Sequence, residues 1–237
     1  MTTLRSKKET APIVKSWIRN LSPAAEFWLV IALCFGVMLF KSFDDALFHL
    51  FVGPRRHPIT DFTFLSMGVY ELAAMAAVYW IGRIRGWSFA SFGLRVTWKG
   101  TGAGILLLIA VELALACQST LLQLSHLSGG YASQFSGALT LPTIAINSLT
   151  NPVFEELMEV GYFVHVLKRR GMWPTIAASV LLRTLLHVYA GFAVASGVAL
   201  LGLIFGLTYW RWRQLWPLIF VHMMFDFFGL LQQNHIR

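Results

Sequence analysis

The sequence predicts an all-α fold, a polytopic transmembrane helical bundle of about seven spans. Three observations predict it. Of the 237 residues, 57% are hydrophobic and only 13% are charged, against about 25% charged in an average soluble domain. The deficit gathers into long uncharged stretches, and a bilayer crossing needs roughly 20 mostly apolar residues. The basic residues, which give a formal net charge of +8, fall in short clusters between these stretches. That is the arrangement of topology signals and not of a nucleic-acid-binding face, so no nucleic-acid partner is expected.

The spans are expected at about residues 24–41, 62–81, 101–125, 141–166, 174–190, 194–210 and 214–231. The first is marked by a short apolar run from Phe27 to Phe40. No cleavage site of small residues follows it, so it reads as a retained span and not as a signal peptide. The region between Trp173 and Trp210 is apolar throughout. As one helix it would be about 55 Å long, against a hydrocarbon core of about 30 Å. It must therefore fold back, and Gly191 and Gly197 bracket the expected turn. Gly202 and Gly206, four apart, are expected to let two helices approach closely.

Charge orients this layout. With the N-terminus in the cytoplasm, fourteen of the 19 Lys and Arg residues lie inside. They are Arg5, Lys7, Lys8, Lys15 and Arg19, then Arg83, Arg85, Arg95 and Lys99, then Lys168, Arg169 and Arg170, then Arg211 and Arg213. Only Lys41, Arg55, Arg56 and Arg237 lie outside. The bias predicts a multi-pass protein of the inner or plasma membrane with a cytoplasmic N-terminus and an external C-terminus. Trp87, Trp98, Trp173, Trp210, Trp212 and Trp216 all fall near cytoplasmic span ends, where indole rings prefer the interface. Organisation follows: a cytoplasmic tail (1–23), three N-terminal spans (24–135) and a four-span core (136–237).

Ionisable residues inside spans are costly and mark functional sites or compensated pairs. The spans hold Glu71, Glu112, Glu155, Glu156, Glu159, Arg183, His187, His222 and Asp226. Their dense part lies on three helices. Helix rise places Glu155 about 18 Å from the cytoplasmic end of its span, His187 about 20 Å and Asp226 about 17 Å. The three helices can thus bring these groups together. His222 and Asp226 share a face, as do Arg183 and His187, and Glu155 and Glu159. Glu156 stands about 100° further round. Such a set can bind a divalent metal that activates water. It can equally activate water without metal, with Glu as base and His as its partner, or form a structural ion-pair cluster around Arg183. Pro152, just before the acidic pair, predicts a kink or restart of span four at that point.

Other features carry less. Cys34 and Cys117 sit in apolar stretches with no disulfide or metal spacing. His165 is expected at the interface, and His49, His57, His126 and His235 lie in or near outer loops without partners. No nucleophile elbow, phosphate loop or dinucleotide fingerprint occurs.

The runs EELMEVG (155–161), LLRTLLH ending at His187, and LGLIFGLTYWRWRQLWPLIFVHMMFD (201–226) resemble the CAAX-protease and bacteriocin-processing family of intramembrane proteases. That family includes the type II CAAX prenyl endopeptidases and proteins similar to lysostaphin resistance protein A. The resemblance covers roughly residues 140–230. Its pattern is E-E-x-x-x-R, then F-x-x-x-H, then H followed four residues later by N or D. It implies an intramembrane endopeptidase that acts on a membrane-associated or lipidated protein or peptide. Glu155 and Glu156 match the acidic pair that activates water, His187 the second-block histidine, and His222 and Asp226 the third block. A divalent metal such as zinc, if used, would take Glu155, His187 and His222. The resemblance leaves open an inactive relative, an ion-coupled carrier or a scaffold.

Two positions depart from the pattern. Val160 stands where the family has arginine, and Arg183 where it has phenylalanine. A lone Arg near the membrane centre costs at least about 2.5–3.5 kcal/mol on insertion scales, so Arg183 needs a partner. By depth that partner is expected to be Glu159, which would leave Glu155 and Glu156 free for chemistry.

Overall fold

A computed structural model describes residues 13–53, 55–127 and 134–235. Arg5, Lys7, Lys8 and Arg237, counted above for topology, lie outside these. A short helix α1 (Ile13–Arg19) leads into α2 (Pro23–Phe51), α3 (Asp61–Arg85) and α4 (Trp98–Leu124). The fourth helical stretch is composite: α5 (Leu141–Glu155), a π-helical segment (Glu156–Tyr162) and α6 (Phe163–Leu167). Then follow α7 (Met172–Leu186), α8 (Phe192–Trp212) and α9 (Trp216–His235). Two three-residue strands, β1 (Arg56–Pro58) and β2 (Gln134–Ser136), pair in parallel with His57 opposite Phe135. The fold is all-α apart from this ladder.

By length and composition, α2, α3, α4 and α8 are candidate membrane spans, and α7 is a shorter apolar helix. The protein is therefore a multi-pass helical membrane protein. The α5–α6 stretch, α7 and α9 coincide with expected spans but do not qualify by those criteria. They are the shorter, more polar or interrupted helices.

Local chemistry sets the helix ends. Ser22, Thr60 and Thr97 each accept a backbone N–H of the first turn, from Ala25, Thr63 and Gly100, as N-caps do. Gly86 (φ 73) closes α3 in the left-handed region. Gly191 (φ 88) makes the turn between α7 and α8. Gly197 is not part of that turn; it lies inside α8. The first span also runs further than expected, to Phe51. The polar residues Asp44 and Asp45 near its end continue the helix, and Arg55 neutralises both at 2.6 and 2.8 Å.

The N- and C-terminal segments share one core. Phe35 of α2, Phe154 of α5, Phe205 and Tyr209 of α8, and Leu218 and Ile219 of α9 are fully buried within it. The Asp61 carboxylate accepts the Thr140 backbone N–H at 2.8 Å, which ties the start of α3 to that of α5. The connection at 86–97 folds back on the bundle. Tyr209 Oη donates to the Phe92 carbonyl at 3.1 Å. Gly93 (φ 66) packs where a Cβ would collide with the Arg213 carbonyl.

The α7–α8 seam is close because of its glycines. A Cβ on Gly206 would stand 2.9 Å from Ile176 Cγ2, and one on Gly202 would stand 3.1 Å from Arg183 Cδ. Gly202 thus makes room for the largest buried cation of the chain.

Candidate active site

The site begins with the irregular fourth stretch. Pro152 does not break it: α5 continues through Pro152 to Glu155, and the departure comes afterwards as the π-helical turns of Glu156–Tyr162. Such π segments recur at functional sites. Glu155 and Glu156 both keep right-handed helical dihedrals and so point to adjacent faces, and α7 and α9 reach these faces through Arg183 and His222.

Arg183, on α7, stands at the centre and is 1% exposed. Its Nη2 donates to Glu156 Oε1 at 2.7 Å. Its Nε lies 2.6 Å from Glu159 Oε2, close in charge although not aligned as a hydrogen bond. Its Nη1 lies 3.9 Å from Glu155 Oε2. The guanidinium also sits 5.7 Å from the Phe205 ring centre, within reach of a cation–π contact. Arg183 therefore meets all three glutamates and not Glu159 alone. Glu156 is not the free carboxylate that a simple Arg183–Glu159 pair would leave.

Glu156 is held twice. Its Oε1 accepts from Arg183 and also from His222 Nδ1 at 2.8 Å. His222 Nε2 lies 3.5 Å from Asp226 Oδ1 and 3.8 Å from Glu155 Oε2. Both ring nitrogens of His222 thus face carboxylate oxygens, as the four-residue spacing to Asp226 requires on one side. Asp226 is itself oriented: Asn151 Nδ2 donates to its Oδ2 at 3.0 Å. Asn151 was not singled out from the sequence. The available signal was its spacing, four residues before Glu155 and so on the same face of α5.

His187 closes α7. Its Nδ1 lies 2.9 Å from the Arg183 carbonyl. A carbonyl only accepts, so Nδ1 is the donor and the neutral ring presents Nε2 as a lone pair. Ser42, from α2, donates to the neighbouring Leu185 carbonyl at 2.9 Å. Two carbonyls left over at the helix end are thereby satisfied, and the His187 ring is fixed.

A cavity of about 300 Å³ joins these groups. Glu155, Arg183, His187, His222 and Asp226 line it together with Leu115 of α4 and Val194, Gly197, Val198 and Leu201 of α8. Glu155 is the carboxylate that fronts this cavity with no hydrogen bond of its own; its nearest cationic nitrogens stand at 3.8 and 3.9 Å. Glu159 is fully buried behind Arg183.

The remaining ionisable residues divide. Glu112 is exposed on α4. Glu71 of α3 is fully buried, neither carboxylate oxygen has a hydrogen-bond partner, and it is near enough to interact electrostatically with Glu155, Asp226 and His222. His165 is half-buried, stacks on Phe92 and lies tilted against Trp87, with ring centres 5.1 and 5.2 Å away. Among the described residues no three His, Cys, Asp or Glu side chains are grouped as metal ligands. The expected trio of Glu155, His187 and His222 lines one cavity without forming such a group, because His222 is drawn to Glu156 and His187 to the Arg183 carbonyl.

Fold and cluster together define a multi-pass helical membrane protein with a buried carboxylate, histidine and arginine site. Residues 136–228 match the family model of the Rce1-like type II CAAX prenyl endopeptidases. The match spans α5 to most of α9 and so contains Asn151, the three glutamates, Arg183, both cavity histidines and Asp226. Neither a curated protein nor a solved structure matches the chain.

Proposed function

We propose that the protein is an intramembrane endopeptidase that hydrolyses a peptide bond of a membrane-associated or lipidated protein or peptide, with Glu155 as general base. The observation that carries this is the contrast within the acidic pair: Glu156 is bonded to Arg183 and His222, whereas Glu155 faces the cavity unbonded. A water in the cavity would donate to Glu155 and be held by the Nε2 lone pair of His187. Glu155 takes its proton as the oxygen attacks the carbonyl carbon. His222 donates its Nε2–H to the oxyanion that forms. Asp226 cannot do so, because an ionised carboxylate has no proton to donate. Collapse of the tetrahedral intermediate breaks the C–N bond, and Glu155 returns the proton to the leaving nitrogen. Glu156, Asp226 and Asn151 act as positioning residues for His222. Arg183 compensates the buried carboxylates with a charge supplied from α7, at the level where Val160 no longer provides it.

A divalent ion would draw on Glu155, His187 and His222. These three line one cavity but are not grouped as ligands. The match of residues 136–228 to a family of endopeptidases supports protein or peptide substrates.

The test is cleavage of an internally quenched peptide library by the full chain in proteoliposomes. Glu155→Gln should lower the rate by about 10²–10⁴-fold, the range of general-base contributions, with thermal unfolding unchanged. Equal cleavage by Glu155→Gln and the parent removes Glu155 from the chemistry. A parent that cleaves nothing favours a non-catalytic relative.

The layout proposed with this activity is seven spans with a cytoplasmic N-terminus, supported by the basic asymmetry. A reporter fused after Arg213 should read out cytoplasmic; an external readout inverts the layout.

A further inference from the structure

The catalytic cavity has a neighbour. A second cavity of about 320 Å³ is lined by Gln118, Ser119, Leu122 and Gln123 of α4 and by Ala193 and Val194 of α8. Val194 lines both. Leu115, in the catalytic cavity, is one helical turn from Gln118 and Ser119. Gly197 is one turn from Ala193. The two cavities therefore follow one another along a single seam between α4 and α8. The second lies toward the end of α4 and the start of α8, the end of the bundle that carries the α7–α8 turn. The basic connections at Lys168–Arg170 and Arg211–Arg213 lie at the other end.

One side chain stands at the boundary. Gln118 Nε2 donates to Ser196 Oγ at 2.8 Å and to the Ala193 carbonyl at 3.3 Å, so it fastens α4 to α8 where the cavities meet. Gly197 keeps the seam narrow but open: a Cβ there would lie 3.5 Å from Gln118 Oε1 and 3.6 Å from Leu115 Cδ2. That is ordinary contact, so Ala fits while a bulky side chain would fill the passage.

We propose that this seam is the substrate entrance: an extended peptide segment enters the outer cavity, displaces the Gln118 clamp and passes between α4 and α8 to Glu155. The proposal rests on the endopeptidase reading and names its route. The chemistry of the vestibule selects the occupant. Gln118, Ser119 and Gln123 are neutral groups in a helix whose mean hydropathy is otherwise high, at 2.2 over its most apolar window. Amides and hydroxyls both donate and accept, which suits peptide N–H and C=O groups. No charged side chain lines the vestibule, so it does not suit an anionic lipid headgroup. Ser119 and Gln123 are exposed one turn apart on α4, and their side chains make no hydrogen bond among the described residues. Polar groups facing hydrocarbon are costly unless satisfied, and an entering backbone satisfies them. With a cytoplasmic N-terminus the entrance opens toward the outer face.

The experiment uses the full chain in proteoliposomes, with Cys34→Ala and Cys117→Ser and a single reporter, Val198→Cys, in the catalytic cavity. A membrane-impermeant, sulfonated maleimide is the probe. It should label the reporter from the side bearing the α7–α8 turn. Gly197→Phe should slow labelling by at least about tenfold, since thiol reaction follows access. Gln118→Ala should speed it, and Gly197→Ala should leave it unchanged. An unstructured Gly-Ser peptide should slow labelling of the parent but not of a Ser119→Ala, Gln123→Ala variant. Labelling from the opposite side, or rates indifferent to both Gly197→Phe and Gln118→Ala, would overturn the route. If Gly197→Phe does not fold, the Gln118→Ala and peptide arms decide. Labelling needs no hydrolysis, so expected labelling in a protein that cleaves nothing sinks the endopeptidase reading and leaves the entrance standing.

Discussion

The long apolar helices and the helices that carry the site are different sets. α2, α3, α4 and α8 are long and apolar enough to cross a membrane on composition alone. The ionisable side chains of the candidate site come from α5 and its π segment, α7 and α9, and none of these meets the same criteria. The difference has a physical origin. Each carboxylate or histidine lowers the hydropathy of its helix, and each reorientation of such a group shortens or widens a turn. The cost of placing these residues in a membrane is offset by one another: Arg183 against Glu156 and Glu159, His222 against Glu156, and Asp226 against Asn151. The apolar helices surround and close this cluster and supply few of its polar atoms, with Ser42 bonded to Leu185 as one exception. A search by apolarity alone therefore selects the enclosing helices and not those that carry the cluster.

The comparison breaks most sharply at Arg183. Removing it should leave the buried Glu159 without a cation and Glu156 with His222 alone. Breaking a buried pair on one side typically costs about 3–5 kcal/mol. Arg183→Leu is therefore expected to lose most of its stability in a detergent unfolding titration. Adding Glu159→Leu should recover part of that loss, and adding Glu156→Gln as well should recover more, because the arginine meets both. Arg183→Lys should fall between parent and Leu: it keeps the charge but not the several donors that reach separate carboxylates. An Arg183→Leu protein as stable as the parent would mean that the acidic residues are compensated elsewhere, and the ion cluster would cease to explain why these helices tolerate their charges.

The extent to which the sequence disclosed this arrangement follows from the same contrast. The positions of the helices were legible, because runs such as Trp98–Leu124 leave few alternatives. Convergence of Glu155, Arg183, His187, His222 and Asp226 on one cavity was legible from depth and four-residue spacing. The partners of Glu156 were not. Helical periodicity puts Glu156 off the face of Glu155 and Glu159, and it does not show that Arg183 and His222, from two other helices, reach that second face. Pro152 pointed to an irregularity but misplaced it by one turn. Asn151 was hidden because an amide in a span reads as ordinary packing until its partner, 75 residues away in Asp226, is known. Gly197 resembled a turn residue because the sequence shows a glycine near Gly191 and not the α4 side chains across the seam.

The smallest expected effect tests the other half of the comparison. Arg85, at the end of α3, pairs with Glu26 of α2 and donates from Nη1 to the Arg19 carbonyl at 2.7 Å. This is the charge contact among the apolar spans that most resembles the Arg183 cluster. It differs in position: the Arg85 side chain is 20% exposed and lies in the basic connection at the bundle end, within reach of water. Exposed pairs contribute about 0–1 kcal/mol; Glu26 itself is buried, so the loss of Arg85 should cost somewhat more than that and less than the loss of Arg183. Arg85→Ala should therefore shift the unfolding midpoint slightly and leave cleavage by the reconstituted protein unchanged. Raising the salt concentration should reduce even this small difference between Arg85→Ala and the parent, since exposed pairs are screened, while the Arg183→Leu defect should persist at the same salt. If Arg85→Ala instead costs as much as Arg183→Leu, or abolishes cleavage with folding intact, the N-terminal helices do more than enclose the site, and the division between enclosing and functional helices has to be redrawn at α3.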